Sequence, residues 1–269
     1  MNNTKKNNFR NISAKGFVLL TVFLTVLLPT FVVGKTVMFD LSHGQCRDII
    51  PGYNSVPGFD THMHILADYE KFAKGAGADF KVNKNSELNE KNLEGVNVLI
   101  MLSPLNKKLT RDISDSEKKA IADFIRKGGR LLVFVEEDHL VDLAKYGIND
   151  ITKQFGIEFG KDIVGLPGNS GAVSIPNEIF SRRLEIPYSG SRTVSGGIPA
   201  SVSYEGGYVH GSYVKLENGG KLFAAGETMV GLLMGYPDGE RNIHKKMKSR
   251  WWGKDSKQFI RELIEWALK

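Results

Sequence analysis

The sequence predicts an α/β fold, a doubly wound, mostly parallel sheet with a C-terminal β-hairpin and a terminal helix. Three observations carry that reading. From Thr36 onward, short apolar runs alternate with amphipathic stretches, the order expected of strands and helices taking turns around a sheet. The run Val96–Leu102 is apolar on both faces, as a strand covered by helices on both sides must be. Tyr208–Leu216 and Lys221–Ala225 face each other across Asn218-Gly219-Gly220, which has the chemistry of a tight hairpin turn.

Taken in order, Thr36–Leu41 reads as the first strand, followed by a Gly- and Pro-rich loop. His64–Lys74 reads as a helix with Ile65, Leu66, Tyr69 and Phe72 on one face, closed by Gly75 and Gly77. Asp79–Val82 is a short strand and Val96–Leu102 the next. Ser114 with Glu117 makes a capping box, and Ala120, Ile121, Phe124 and Ile125 supply the buried stripe of the helix it starts. Gly128 and Gly129 end that helix, and Leu131–Val135 reads as the central strand. Leu140–Tyr146 and Ile151–Phe155 are expected to be helical. Residues 156–203 read as irregular, because Gly, Ser and Pro recur there without a period. After the hairpin, Met229–Met234 and Ser256–Leu268 are expected helices, the second capped by Asp255.

The N-terminal segment reads as an export signal. Lys5, Lys6, Arg10 and Lys15 form a basic start, Phe17–Val33 an apolar run, and Val32 and Gly34 a small-residue exit preceded by Pro29. Residues 1–34 are therefore assigned as a signal peptide, residues 35–269 as one domain, and the destination as periplasmic or secreted. The alternative is an uncleaved membrane anchor, since the run approaches bilayer-spanning length. The formal charge of +6 rests largely on this segment, whose removal leaves 32 basic against 30 acidic residues. Nucleic-acid binding thereby loses its main support. The one cysteine, Cys46, cannot form an internal disulfide and stands too far from the apolar run for a lipid anchor.

Several pieces, in this order, resemble the class I glutamine-amidotransferase-like superfamily. They are Val37-Met38-Phe39-Asp40 with Ser42-His43-Gly44, the Asn97–Pro104 strand, Gly128-Gly129-Arg130-Leu131-Leu132-Val133, Gly220-Lys221-Leu222-Phe223 leading to Gly226-Glu227-Thr228, and the closing Phe259–Trp266. The nearest branch is one of uncharacterised bacterial domains related to auxiliary subunits of gliding-motility transporters and found beside some glycan-degrading enzymes. The resemblance implies an amidotransferase-like, flavodoxin-like sheet. In catalytic members a Cys stands on the turn after the strand that is Leu131–Val135 here, its thiolate beside oxyanion-stabilising N–H groups. This chain has Glu136, Glu137, Asp138 and His139 at that turn, so amide hydrolysis by the family mechanism is not expected.

In an open parallel sheet, ligands bind beyond the strand C-termini. Asp40, Ser42, His43 and Gln45 follow the first strand, Ser103 the Val96 strand, and Glu136–His139 the Leu131 strand. Asp40, His43, Glu137 and His139 are the candidate catalytic residues, with Ser42, Gln45 and Ser103 as binding residues. Glu136 and Glu137 are adjacent, so strand alternation sends only one of them into the crevice. Asp40 has a second reading, closing its strand by accepting backbone hydrogen bonds. No metal or other cofactor is assigned. A weaker possibility places His62 and His64 on one side of an extended segment, with Asp60, His43 and His139 as further ligands. The segment 241–257 is basic and contains Trp251 and Trp252; Lys245, Lys246, Lys248 and Trp252 are candidate contacts for an anionic partner, or else the lysines form a solvated face.

Three functional classes follow, the third being a purely structural subunit of an envelope complex. The first is a non-enzymatic ligand-binding or accessory domain for a glycan-type or other polar or anionic ligand, with an envelope protein as the alternative partner. The second is a hydrolase acting on a saccharide or ester through Asp/Glu and His, with or without a metal.

Overall fold

A computed structural model describes residues 34–43, 62–105, 107, 111–163, 171–187, 192–233 and 255–269, with backbone alone at 62–64. Residues 1–33 of the expected signal segment, Gln45, Cys46, Asp60, Lys245, Lys246, Lys248, Trp251 and Trp252 lie outside the described residues.

The first strand, β1 (Lys35–Asp40), pairs in parallel with β2 (Ala78–Asn83) on one side and with β3 (Val98–Leu102) on the other. The sheet continues in parallel through β4 (Arg130–Phe134) to β11 (Lys221–Ala225). Every residue of β3 and β11 is buried, as befits strands covered on both faces. The remaining strands are β5 (Ile157–Asp162), β6 (Gly171–Ser174), β7 (Glu185–Pro187), β8 (Arg192–Gly196), β9 (Ile198–Ser203) and β10 (Val209–Lys215). The main sheet has nine strands in the order β2-β1-β3-β4-β11-β10-β9-β6-β7, and β5 with β8 forms a separate antiparallel pair. The expected doubly wound, mostly parallel core with a hairpin and terminal helix is therefore present, extended by an antiparallel wing.

Helices cover both faces. Helix α1 (His62–Gly75) and helix α6 (Ser256–Leu268) pack on one, where Tyr69, Phe72, Phe259 and Leu263 meet Val37, Phe39, Leu132 and Phe134. Helix α3 (Asp115–Arg126) packs on the other, where Ile121, Phe124 and Ile125 meet Met38, Leu131 and Val133. The short helices are α2 (Glu90–Leu93), α4 (Leu143–Tyr146) and α5 (Asn149–Thr152), the last running into a 3-10 turn at Lys153–Phe155. Alternation along each strand thus feeds two cores, with odd and even positions going to opposite layers.

Sequence signals set several boundaries. The Ser114 and Glu117 capping box forms in both directions, with Glu117 N–H donating to Ser114 Oγ and Ser114 N–H to Glu117 Oε2. Gly128 ends α3 with φ at +93°, a left-handed value that a side chain would strain. In the hairpin, Asn218 Oδ1 accepts from Gly220 N–H at 3.1 Å and β10 pairs antiparallel with β11.

Four expectations are corrected. The described residues of 156–203 hold five strands instead of an irregular stretch; Gly196, the last residue of β8, takes φ +80°, with the space of a Cβ occupied by Gly156 O. Leu140–Tyr146 is helical only from Leu143. Met229–Leu233 forms turns, with Leu233 at φ 57°, because Glu227 Oε2 captures Met229 N–H and Glu227 Oε1 accepts Val230 N–H at 3.4 Å. Asp255 makes no side-chain cap to α6; its carboxylate accepts instead from Arg182 Nη2 and from Glu185 N–H, each at 2.8 Å.

Candidate functional site

The C-terminal ends of β1, β3, β4 and β11 lie side by side, and a polar residue ends or follows each: Asp40, Ser103, Glu136 and Glu227. Strand order reverses between β1 and β3, so this edge includes the topological switch point where open α/β sheets bind ligands. The polar residues there form two hydrogen-bonded groups.

The first group is centred on His43. Asp40 shares the parity of Met38 and faces the α3 layer. His43 Nδ1 lies 2.7 Å from Asp40 Oδ2, and His43 Nε2 lies 2.9 Å from Arg111 Nη2 and 3.3 Å from Glu117 Oε1. Ser42 Oγ and Asn83 Nδ2 each donate to Asp40 Oδ1 at 2.8 Å, and Arg111 Nη2 donates to Glu117 Oε1 at 2.7 Å. Asp40, His43 and Glu117 are buried. Burial pulls the imidazole pKa of His43 down, yet hydrogen bonds with Asp40 and Glu117 outweigh it and leave a net rise. Burial pushes Glu117 up, but its bonds with His43, Arg111 and the N–H groups of Leu88 and Ser114 hold it well below the usual carboxylate range. Asp40 also closes the strand as its structural reading requires, since its Oδ1 accepts Ser42 N–H at 3.2 Å.

The second group is centred on Glu136, which shares the parity of Leu132 and Phe134 and is 6 % exposed. Its Oε1 accepts from Thr228 N–H at 3.0 Å and from Thr228 Oγ1, while Glu136 N–H donates to Ser103 Oγ at 2.9 Å. Burial, followed by the nearby charge of Glu227, raises its pKa to about 7 against the opposing Thr228 bonds. Glu227 Oε1 lies 2.9 Å from His210 Nε2, and His210 Nδ1 lies 2.7 Å from Ser201 Oγ. Ser201, His210 and Glu227 are all buried.

Glu137 and His139 are placed apart from both groups. They form their own pair, Oε1 to Nδ1 at 2.6 Å, with the His139 side chain 64 % exposed. Burial, together with the charge of Asp162, raises the Glu137 pKa, while His139 and Arg192 oppose the rise. Arg192, fully buried, anchors the turn through Glu136 O at 2.6 Å, Gly160 O at 3.0 Å and Asp138 Oδ1 at 2.9 Å.

Of the expected site residues, Asp40, Ser42 and His43 are therefore brought together, Ser103 joins Glu136, and Glu137 stands with His139. The carboxylate directed inward is Glu136, the neighbour of the one selected from sequence. Arg111, Glu117, Ser201, His210 and Glu227 are site residues that sequence reasoning misses. Gly226-Glu227-Thr228 directly after a strand is the one available signal, whereas Arg111 and Ser201 lie in stretches without a motif. The backbone at His62–His64 is already helical, so the extended geometry proposed for a metal-binding pair is absent there.

No protein-family model matches the sequence, and no curated protein matches it either. Solved structures do match. The N-terminal domain of mmIFT52 gives a TM-score of 0.51 at 14 % identity, over 71 % of this chain and 86 % of that one. The cytoplasmic protein STM3548 from Salmonella typhimurium gives 0.49 at 12 % identity, over 85 % and 97 %. A Thermoplasma acidophilum protein proposed to be part of a GMP synthase gives 0.48 at 12 %, over 87 % and 94 %. At 14 % identity the likeness to the mmIFT52 domain is one of fold alone.

Proposed function

We propose that this chain is an exported, non-hydrolytic ligand-binding or accessory domain of amidotransferase-like ancestry, taking a polar, glycan-type ligand at the C-terminal edge of its sheet. The observation that carries the reading is the turn after β4. It holds no thiol, and none of its residues takes the left-handed backbone that a strained nucleophile turn uses; among the described residues Leu233 is the sole non-glycine at positive φ. Its inward side chain, Glu136, is bound by Thr228.

Two further features support binding over turnover. The Ser201–His210–Glu227 row has the residue types of a hydrolytic triad, but the serine meets Nδ1 and the carboxylate Nε2, and all three are buried away from any substrate. In the His43 group the carboxylates of Asp40 and Glu117 already have partners in His43 and Arg111, which suits a neutral hydrogen-bonding ligand better than a strongly charged one. Export rests on the N-terminal pattern; among the described residues no helix is long and apolar enough to cross a membrane.

The test is to incubate the exported chain with neutral and acidic oligosaccharides, following binding by calorimetry and products by mass spectrometry. Saturable binding of intact sugar supports the proposal, and cleavage of any of them overturns it. Intact mass of the same sample reports whether residues 1–34 have been removed.

A further inference from the structure

The two outer strands of the main sheet are finished differently. At one edge β7 spans three residues and ends on Pro187, which has no N–H to offer a further strand. At the other, β2 spans six residues, contains no proline, and keeps one unshifted register with β1 from Ala78 to Asn83. Leu41 N–H donates to Asn83 O at 2.8 Å, so the peptide groups of Asn83, Lys81 and Asp79 turn towards β1. Those of Ala78, Phe80 and Val82 alternate with them and turn outward, where none of the described residues pairs with them.

The side chains of β2 divide by face in the same rhythm. Ala78, Phe80 and Val82 belong to the α1-side core, Ala78 buried and the other two half-buried. Asp79 and Lys81 are exposed on the opposite face, and neither forms an ion pair among the described residues. A regular, open edge with half-covered apolar side chains is a template for another strand, and a lysine by itself is a common guard against that. Here the lysine stands two positions from an acid, and in a self-pairing the two charges meet.

We propose that β2 is a dimerisation edge, on which a second copy of this chain pairs antiparallel through its own β2 with Phe80 opposite Phe80. Outward peptide groups occur only at alternate residues, so Ala78, Phe80 and Val82 must face one another. With Phe80 at the two-fold axis, Ala78 faces Val82 of the second copy and Asp79 faces Lys81 of the second copy, on both sides of the axis. Opposite charges at directly facing positions stabilise a strand pair. Sliding to the next permitted register puts Asp79 opposite Asp79 in one direction and Lys81 opposite Lys81 in the other, and like charges there are destabilising. The order Asp79-Phe80-Lys81 therefore selects one register for a self-complementary, two-fold contact. The joint continues the sheet and covers more of Phe80 and Val82. It does not rest on the ligand proposed for the strand ends.

Sedimentation equilibrium of the full chain over a range of concentrations should show a monomer–dimer equilibrium. Asp79→Lys and Lys81→Asp should each weaken dimerisation at least about tenfold, because each sets like charges opposite one another across the axis. The double reversal, Asp79→Lys with Lys81→Asp, restores opposite charges and should return the affinity to within about threefold of native. Mixing the two single variants should give a heterodimer tighter than either variant with itself, since one strand then carries only lysine at these positions and the other only aspartate. Hydrogen exchange on the native chain gives a readout that does not depend on any variant: the amides of Phe80 and Val82 should slow as concentration rises through the dimerisation range. A chain monomeric at every concentration overturns the proposal and leaves the edge to a strand of a different protein. Single reversals without effect, a double reversal no tighter than the singles, or protection confined to other segments places the contact elsewhere and equally overturns it.

Discussion

Replacing Glu136 with Gln isolates the energetic consequence of a carboxyl group buried beside Glu227. Burial first, and the Glu227 charge second, raise Glu136 from an ordinary glutamate value near 4.5 to about 7. The folded chain therefore binds this proton more tightly than the unfolded chain. Its contribution is fully present below about pH 4.5 and is lost as pH rises through about 7, a difference of about 3 kcal/mol. Gln retains an acceptor for the two Thr228 donors and never ionises. For a domain of this size, about 3 kcal/mol corresponds to roughly 6–12 °C in melting midpoint. Urea unfolding and calorimetric midpoints of both chains at about pH 5 and about pH 8.5 test this. The stability of E136Q relative to the native chain should rise by about 3 kcal/mol between the two conditions. His43, whose pKa is also raised, weakens both chains in the same direction and cancels in the comparison. If the relative stability of E136Q does not grow with pH, Glu136 is not held in its protonated form and the reasoning fails.

His210→Ala should cost about 3–5 kcal/mol in urea unfolding, because it leaves Glu227 charged and buried without its imidazole; adding Glu227→Gln should recover part of that loss, and no recovery would count against the pairing. Glu117→Ala removes the acceptor of the capping box and the counter-charge of Arg111, with an expected loss of similar size, about 3–5 kcal/mol. Because the Glu117 pKa is depressed, its contribution is present above the ordinary glutamate range and is lost as pH falls through the folded value, so the variant should lose part of the acid limb of the native stability profile. Joint replacement of Lys245, Lys246 and Lys248 by Ser should lower the salt needed to elute the chain from an acidic polysaccharide column; unchanged elution would favour a solvated face.

Where sequence and structure agree, local chemistry and burial point the same way. β3 and β4 are legible because each is apolar on both faces, and α3 because its cap and stripe are both local. β5 to β9 are not, because their pairing is antiparallel and their segments are short and rich in Ser, Gly and Pro, so that period-2 alternation is blurred. The apolar Met229–Leu233 stretch invites a helix that Glu227 forestalls by taking up its first amides. Asp255 has cap chemistry and spends it on Arg182 and Glu185.

The site shows the same limit in sharper form. Alternation establishes that only one of Glu136 and Glu137 turns inward, but the phase depends on Val135, which joins Leu131 and Val133 in the α3-side core and so directs Glu136 to the other face. Asp40 has the phase of Met38 and faces the α3 layer. Two carboxylates that both follow central strands in sequence therefore serve opposite layers, and each layer supplies its own partners: Glu117 and Arg111 from α3 and its approach, Glu227 and Thr228 from the end of β11. A catalytic pair would need both groups in one cavity with one of them free to exchange a proton with substrate. Here Asp40 is committed to its imidazole and Glu136 to Thr228, so the polar groups of this edge act first as clasps that fix the loops beyond the strands. Under the proposed binding role, a ligand at this edge would meet hydrogen-bonded groups already fixed before it arrives, which lowers the ordering cost of association.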